Sequence, residues 1–343
     1  MKAWLLNNSF DLTRETQPLE FADVPTPTPG PTEILIRVRC CGVCHTELDE
    51  IEGRVNPPNL PVIPGHQVVG IIEQKGTNAS RFNLGDRVGV AWIFSACSEC
   101  GFCQSGFENL CEEFKATGCH VNGGYAEFMT VPEKFAYPIP ADFSDAEAAP
   151  LLCAGAIGFR SLRLANVKNG QIIGLTGFGG SGHLVLKMTR SLYPESKILV
   201  FARSSEERKF ALSLGATWAG DVTDTPPFKA QSIIDTTPAW KTVVQSLLHL
   251  ERGGRLVINV IRKEPMDKNE LLTLDYKDHL WMEKEIKSVA NITRYDVEEF
   301  IKLAARIPIK PEVQIYPFEK ANEALIDLKR KHVKGAKVLE MGR

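Results

Sequence analysis

Charge of one sign, long apolar runs and internal repetition are all in short supply in this chain. Its 343 residues carry 40 Lys and Arg against 42 Asp and Glu, a formal net charge of −2. Without a basic excess there is little to neutralise a phosphate backbone, so nucleic acid is not an expected partner. No run of like charge recommends a membrane surface, and no apolar stretch reads as long enough to span a bilayer. The opening Met1-Lys2-Ala3-Trp4-Leu5-Leu6-Asn7-Asn8 lacks the apolar centre of a secretory signal. These absences leave the expectation of a cytoplasmic globular protein, long enough for two domains.

Cysteine, by contrast, is plentiful, with nine residues. In a cytoplasmic chain their spacing suggests metal ligands rather than disulfides. Cys97, Cys100, Cys103 and Cys111 form Cys-x2-Cys-x2-Cys-x7-Cys on a loop of small and polar residues. Four thiolates so close in sequence match a closed tetrahedral zinc site, which replaces a core in a protruding loop. An iron–sulfur cluster is the rival for four cysteines, disfavoured because no further cysteine-rich motif accompanies them. Cys44, in Cys41-Gly42-Val43-Cys44-His45-Thr46-Glu47, and His66, in Pro64-Gly65-His66-Gln67, offer thiolate and imidazole to a second zinc. A buried thiol and a turn histidine account for that pair equally well.

The organising stretch is Gln171-Ile172-Ile173-Gly174-Leu175-Thr176-Gly177-Phe178-Gly179-Gly180-Ser181-Gly182. An apolar run turns through glycines into a helical pattern, with the Gly177-x-Gly179-x-x-Gly182 spacing of a dinucleotide fingerprint. The first glycine permits a tight turn and the second lets backbone N–H groups approach a pyrophosphate. The third lets the helix pack on its strand. Gly180 and Ser181 complete the turn, and His183 reads as a helix-start residue. The second strand, Lys197–Phe201, ends in Ala202-Arg203-Ser204-Ser205. An NAD site usually carries Asp or Glu there to bind the ribose 2′-hydroxyl. With Ala202 in that place nothing repels a 2′-phosphate, and Arg203 and Ser204 offer a cation and a hydroxyl, so NADP(H) is preferred over NAD(H). The plainer account makes Arg203 a solvated cation and Ser204 a helix cap ahead of Glu207.

Around these motifs, Ile34, Ile36 and Val38 alternate as a strand, and Gly123–Phe128 reads as another. Ser144-Asp145-Ala146-Glu147 has capping-box form and opens the helix that carries Cys153. Later elements are a helix at Ser205–Leu214, a strand at Ser232–Asp235 and a helix at Ala239–Leu250 stopped by Gly253-Gly254. A buried strand at Arg255–Ile261 and two amphipathic tail helices follow.

Taken together, Cys41-Gly42-Val43-Cys44-His45-Thr46, Gly65-His66, the four-cysteine lobe, Cys153 and the glycine turn resemble one family over nearly the full length. The chain is similar to the zinc-dependent alcohol dehydrogenases of the medium-chain dehydrogenase/reductase superfamily. The resemblance implies an α/β protein, with a Rossmann doubly wound parallel sheet domain and a GroES-like β-rich catalytic domain. Residues 1–153 would form the catalytic domain, with its structural zinc lobe at about 95–113. Residues 154–287 would form the cofactor domain, and 288–343 would return to the first. It implies two zinc ions per chain: a catalytic one on Cys44, His66 and Cys153, and a structural one on Cys97, Cys100, Cys103 and Cys111.

The same resemblance implies interconversion of an alcohol and its aldehyde or ketone by hydride transfer, in a homodimer or homotetramer. Thr46 would hand on the alcohol proton, a turn or cap hydroxyl being its plainer role. Glu47, where the family usually has Asp, would orient His66. His45 and Lys337 would face the pyrophosphate. Asp49 is either a relay member or a solvated carboxylate, and Trp92 either a pocket wall or core. The remaining His120, His249, His279 and His332, with Cys40, Cys41 and Cys119, read as structural or surface residues. One departure stands out: Gln67 follows His66 where the family has Glu. It motivates a second reading, a nucleotide- and zinc-binding protein of little turnover that acts as a sensor or assembly partner.

Overall fold

The computed structural model describes residues 1–307, 309–330 and 335–342, so His332 lies outside the described residues. The chain divides into two compact units, one of Met1–Ala156 together with the segment from Ile292 onward, the other of Ile157–Asn291.

The first unit opens with the antiparallel pair β1 (Lys2–Leu5) and β2 (Glu20–Asp23). Strand β3 (Glu33–Val43) carries Ile34, Ile36 and Val38 inward and runs into helix α1 (His45–Ile51). Strand β4 (Val68–Lys75) pairs antiparallel with β3, with Cys41 opposite Val68. Cys44, just past the end of β3, and His66, just before the start of β4, therefore emerge at the same end of the sheet.

After β5 (Arg87–Val90), strand β6 (Ile93–Ser95) leads into the four-cysteine lobe. The lobe contains the short helix α2 (Gly101–Gln104), and β7 (Lys115–Ala116) pairs back with β6. Strand β8 (Phe128–Pro132) covers the first half of one edge of β3, and β9 (Ala136–Pro138) pairs with β5. The strand expected over Gly123–Phe128 begins only at Phe128. Upstream, the chain makes only an isolated bridge to β1, where Tyr125 C=O accepts the Trp4 N–H at 2.9 Å.

Helix α3 (Asp145–Pro150) starts on the complete Ser144/Glu147 capping box. It continues through a π-helical turn, Leu151–Gly155, into α4 (Ala156–Ala165). By length and composition Asp145–Ala165 qualifies as a membrane span, contrary to the expectation from sequence. The most apolar part of it is 67% buried inside the protein, as suits a core helix.

The second unit is a six-stranded parallel sheet. Strand β10 (Ile172–Thr176) is followed by α5 (Gly180–Leu192), β11 (Lys197–Phe201), α6 (Ser205–Ser213) and β12 (Trp218–Gly220). Strand β13 (Ala230–Asp235), α7 (Trp240–His249), β14 (Leu250–Ile258), α8 (Tyr276–His279) and β15 (Glu285–Ser288) complete it. The order β12-β11-β10-β13-β14-β15 reverses direction at β10, the switch point of a doubly wound sheet. Leu199, Phe201, Ile233, Leu247 and Leu256 form its core. Gly253-Gly254 does not stop the preceding helix. Helix α7 ends at His249, and the glycines lie inside β14, near the register shift of its pairing with β13. Gly253 takes φ +67°, which a glycine allows within an irregular strand.

The chain then returns to the first unit through α9 (Arg294–Arg306), β16 (Val313–Pro317), α10 (Ala321–Arg330) and β17 (Ala336–Glu340). Strand β17 pairs with the second half of the β3 edge that β8 leaves open, Lys337 opposite Val43.

Candidate metal centres and nucleotide turn

Cys44, His66 and Cys153 come from three separate segments of the first unit, and their ligand atoms lie within 4.8 Å of one another. Two sulfurs and one imidazole nitrogen make a donor set suited to zinc with one position open. The two thiols differ in their surroundings. Cys153 and His66 hold the Cys44 thiol well below its ordinary value against burial, whereas Cys44 and burial push Cys153 well up.

The ring of His66 is fixed from two sides. Its Nδ1 lies 2.6 Å from Glu47 Oε1, both groups buried, while Glu47 Oε2 accepts the Cys44 N–H at 2.8 Å. One carboxylate thus ties two candidate ligands together, and the glutamate reaches the imidazole despite its extra methylene. Holding Nδ1 presents Nε2 as the ligand nitrogen. Burial disfavours the imidazolium, but Glu47 and Cys44 outweigh it and raise His66 well above its ordinary value. Trp92, buried, stands edge-on to the His66 ring at 5.0 Å.

The rest of α1 sorts the remaining alternatives. Cys44 occupies the N-cap position, so Thr46 is not the cap; its half-buried hydroxyl lies 3.7 Å from Cys44 Sγ. Asp49 is buried and accepts from Arg54 Nε at 2.7 Å, which makes it an ion-pair partner rather than a solvated carboxylate. Glu50 was not anticipated from sequence. Three residues after Glu47, it lies on the same helix face and is fully buried beside the Cys119 thiol. Burial, with repulsion from Glu47, pushes its carboxyl well above the usual range. The i, i+3 spacing of the two acids was the one available signal. Gln67 is buried too, with its amide over the bare backbone of Gly42, where a Cβ would lie 2.4 Å from Gln67 Oε1.

In the lobe, the four cysteine sulfurs also lie within 4.8 Å of one another. Cys97 Sγ is 3.5 Å from that of Cys111 and 3.8 Å from that of Cys103. The edge of a tetrahedron with metal–sulfur bonds of about 2.3 Å is about 3.8 Å, so the sulfurs stand at the spacing one zinc requires. Backbone N–H groups of Glu99 and Cys100 point at Cys97 Sγ at 3.4 and 3.3 Å, as suits a thiolate.

The glycine turn of the second unit has three distinct environments. Gly177 has φ +82°, and a Cβ there would lie 2.8 Å from the side chains of both Thr236 and Thr237. A Cβ on Gly182 would lie 2.7 Å from the Gly177 carbonyl, which is close helix–strand packing. Around Gly179 and Gly180 a Cβ would meet nothing within 4 Å. The open space lies over the N-terminus of α5, where the Ser181 N–H is among the unpaired donors, as an incoming pyrophosphate needs. His183 Nδ1 sits 3.1 Å from the Gly179 carbonyl, at the helix start.

At the end of β11, Ala202 is buried and Arg203 exposed. Ser204 caps α6 by accepting the Glu207 N–H at 3.1 Å, leaving its own O–H free to donate. Sequence reasoning missed Arg208, whose guanidinium donates to the carbonyls of Ala202 and Arg203 at 2.9 and 3.1 Å. It brings a second cation to the same corner, one helical turn after Ser204. Of the two other basic residues assigned to a cofactor, His45 is exposed, but Lys337 is buried. Its ammonium donates to Tyr316 Oη at 2.6 Å and Gln314 Oε1 at 3.0 Å, bonds that a phosphate contact would have to replace.

Residues 30–141 match the alcohol dehydrogenase GroES-like domain family. The chain is 40% identical over 344 residues to a probable alcohol dehydrogenase, AdhA, of Mycobacterium tuberculosis (strain CDC 1551 / Oshkosh), covering 99% of this chain and 97% of that protein. An alcohol dehydrogenase of Geobacillus stearothermophilus is 31% identical, covering 94% of this chain and 96% of its own. Among solved structures, a CAD from Helicobacter pylori complexed with NADP(H) superposes with a TM-score of 0.84 at 23% identity, covering 99% and 97%. A cobalt- and zinc-bound thermostable alcohol dehydrogenase from Pyrobaculum aerophilum has a TM-score of 0.84 at 24% identity, covering 99% of both chains.

Proposed function

The chain belongs to the alcohol dehydrogenases of the medium-chain dehydrogenase/reductase superfamily, and from that premise we propose a zinc-dependent enzyme that uses NADP(H) in preference to NAD(H). The observation that carries the reading is the convergence of Cys44, His66 and Cys153 within 4.8 Å, with Glu47 tying two of them together. Zinc held by these three residues would supply Lewis acidity towards an alcohol near neutral pH, and a nicotinamide cofactor would supply the hydride chemistry. Glu47 keeps the His66 ring in one orientation. The Thr46 hydroxyl, beside Cys44 and next to exposed His45, accepts the substrate proton and passes it towards solvent. Cys97, Cys100, Cys103 and Cys111 hold a second, structural zinc.

Gly177, Gly179, Gly180, Ser181 and Gly182 receive the pyrophosphate. Arg203, Ser204 and Arg208 gather round the position where an NAD site would carry its acid. The α6 N-terminus adds its positive end. The reading as a low-turnover sensor has only Gln67 behind it, and the relatives named above are dehydrogenases. A homodimer or homotetramer would have an unpaired strand edge available at β15, the outermost strand of its sheet, all four residues of which are exposed.

Nicotinamide absorbance with a panel of alcohols and aldehydes, before and after chelation, tests the activity and its metal dependence. For the cofactor, Arg203→Ala is expected to lower kcat/KM with NADP(H) about tenfold, the scale of one charge-assisted phosphate contact. The value with NAD(H) should stay within about twofold. A wild-type preference for NAD(H), or an equal loss with both cofactors, refutes the assignment.

A further inference from the structure

The two candidate metal centres lie far apart in sequence, yet a short chain of contacts in the first unit joins them. It begins at Glu108, three residues before Cys111. This carboxylate is buried and bonded to the first turn of α9. Its Oε1 accepts the Arg294 N–H at 2.5 Å and its Oε2 accepts Arg294 Nε at 2.8 Å. The guanidinium also lies over the ring of buried Phe135, 4.8 Å from its centroid. A carboxylate at a helix N-terminus opposes the positive end of the helix, and here it comes from the lobe.

Six residues along α9, Phe300 is completely buried. Its ring occupies the place of a side chain on Gly155, where a Cβ would lie 2.1 Å away. Gly155 closes the π-helical turn Leu151–Gly155, which carries Cys153 at its centre. On the other side of the turn, Leu152 packs against Gly89 of β5, where a Cβ would lie 2.8 Å from the leucine methyls. A π turn has looser internal bonding than an α-helix and takes its shape from what packs against it. Cys153 is therefore placed by Phe300 and Leu152 rather than by its own helix.

We propose that Glu108 and Phe300 are positioning residues for Cys153, so that the four-cysteine lobe sets the metal affinity of the Cys44/His66/Cys153 site through α9. The inference rests on the reading of Cys153 as a metal ligand.

The test is a cobalt(II) titration followed by thiolate-to-metal absorbance. It uses the full chain after mild chelation that leaves the lobe zinc in place. Cys153→Ser comes first: if it binds cobalt at this site as tightly as the wild type, the ligand reading itself falls. Given a loss there, Glu108→Ala and Phe300→Leu are each expected to weaken cobalt binding about tenfold, the scale of an outer contact to a metal ligand. Glu108→Gln, which still accepts the Arg294 N–H, should recover most of the loss. The double variant should lose little more than the larger single one, because both act along one path. Amide hydrogen exchange over residues 150–156 should quicken in Glu108→Ala before any metal is added. Phe300→Leu leaves the lobe untouched and tests the α9 end of the path alone, and wild-type cobalt affinity in Glu108→Ala refutes the lobe's part in it. Wild-type cobalt affinity in Phe300→Leu, or additive losses in the double variant, overturns the proposal.

Discussion

Cys44→Ser is expected to lower kcat at least about a thousandfold while one zinc per chain remains bound. A catalytic metal held by Cys44, His66 and Cys153 would lower the barrier by several kcal/mol, and each ~1.4 kcal/mol is a factor of ten. A serine hydroxyl is a poor substitute for thiolate, so the three-donor cluster becomes a two-donor one with little hold on zinc. The fold should survive. Cys44 is half-buried, its backbone N–H keeps Glu47 Oε2, and Glu47 keeps His66.

His66→Ala makes the informative contrast. It removes a ligand and also strips the buried Glu47 carboxylate of the imidazole partner 2.6 Å away. Leaving one half of such a pair typically costs about 3–5 kcal/mol. The first variant should therefore lose activity at nearly constant melting temperature, the second both. Metal analysis beside thermal denaturation separates them. A Cys44→Ser enzyme with two zinc ions and ordinary turnover would remove the catalytic assignment.

Cys103→Ala carries the second large effect, on stability. The lobe has almost no core of its own: Cys97, Cys100 and Cys103 are half-buried, and Phe102, Phe107 and Leu110 are exposed. On the proposed reading its shape would depend on the metal, and structural zinc contributes about 10 kcal/mol or more of apparent binding free energy in small domains. Three thiolates in place of four should cost most of that locally. The expected results are one zinc per chain, rapid proteolysis within residues 97–111 and a melting temperature lower by several degrees. The second unit, with its own core around Leu199 and Ile233, should keep its secondary structure. Unchanged zinc content and protease resistance would contradict a structural metal there.

Legibility in the sequence followed the distance over which each feature is determined. The four-cysteine lobe is local, and so is the glycine turn, where strand, turn and helix follow one another directly. Cys44, His66 and Cys153 are separated by long stretches of chain; residue chemistry suggested the first two, with a plainer reading equally open, and only the family resemblance added Cys153. Three features needed coordinates because packing decides them. The i, i+3 spacing puts Glu50 on the face of Glu47 without announcing its burial, and no local pattern announces that of Lys337. Arg208 gains its place by folding back along α6 onto the end of β11. Gly253-Gly254 misled because glycine ends helices and kinks strands for the same conformational reason. The surrounding sheet determined which applied.

The spacing of the lobe sulfurs also has a redox consequence. Thiols 3.5 Å apart, as in Cys97 and Cys111, need only a small movement to reach disulfide distance. With metal bound, the sulfur lone pairs are engaged. Once the metal leaves, peroxide can oxidise one thiolate to a sulfenic acid, and a neighbouring thiol displaces water to form the cross-link. A lobe closed in that way cannot regain its tetrahedral thiolate set until a reductant opens it. Handling the protein under oxidants together with chelators would then produce a loss that zinc alone does not reverse, whereas zinc added with a reductant does.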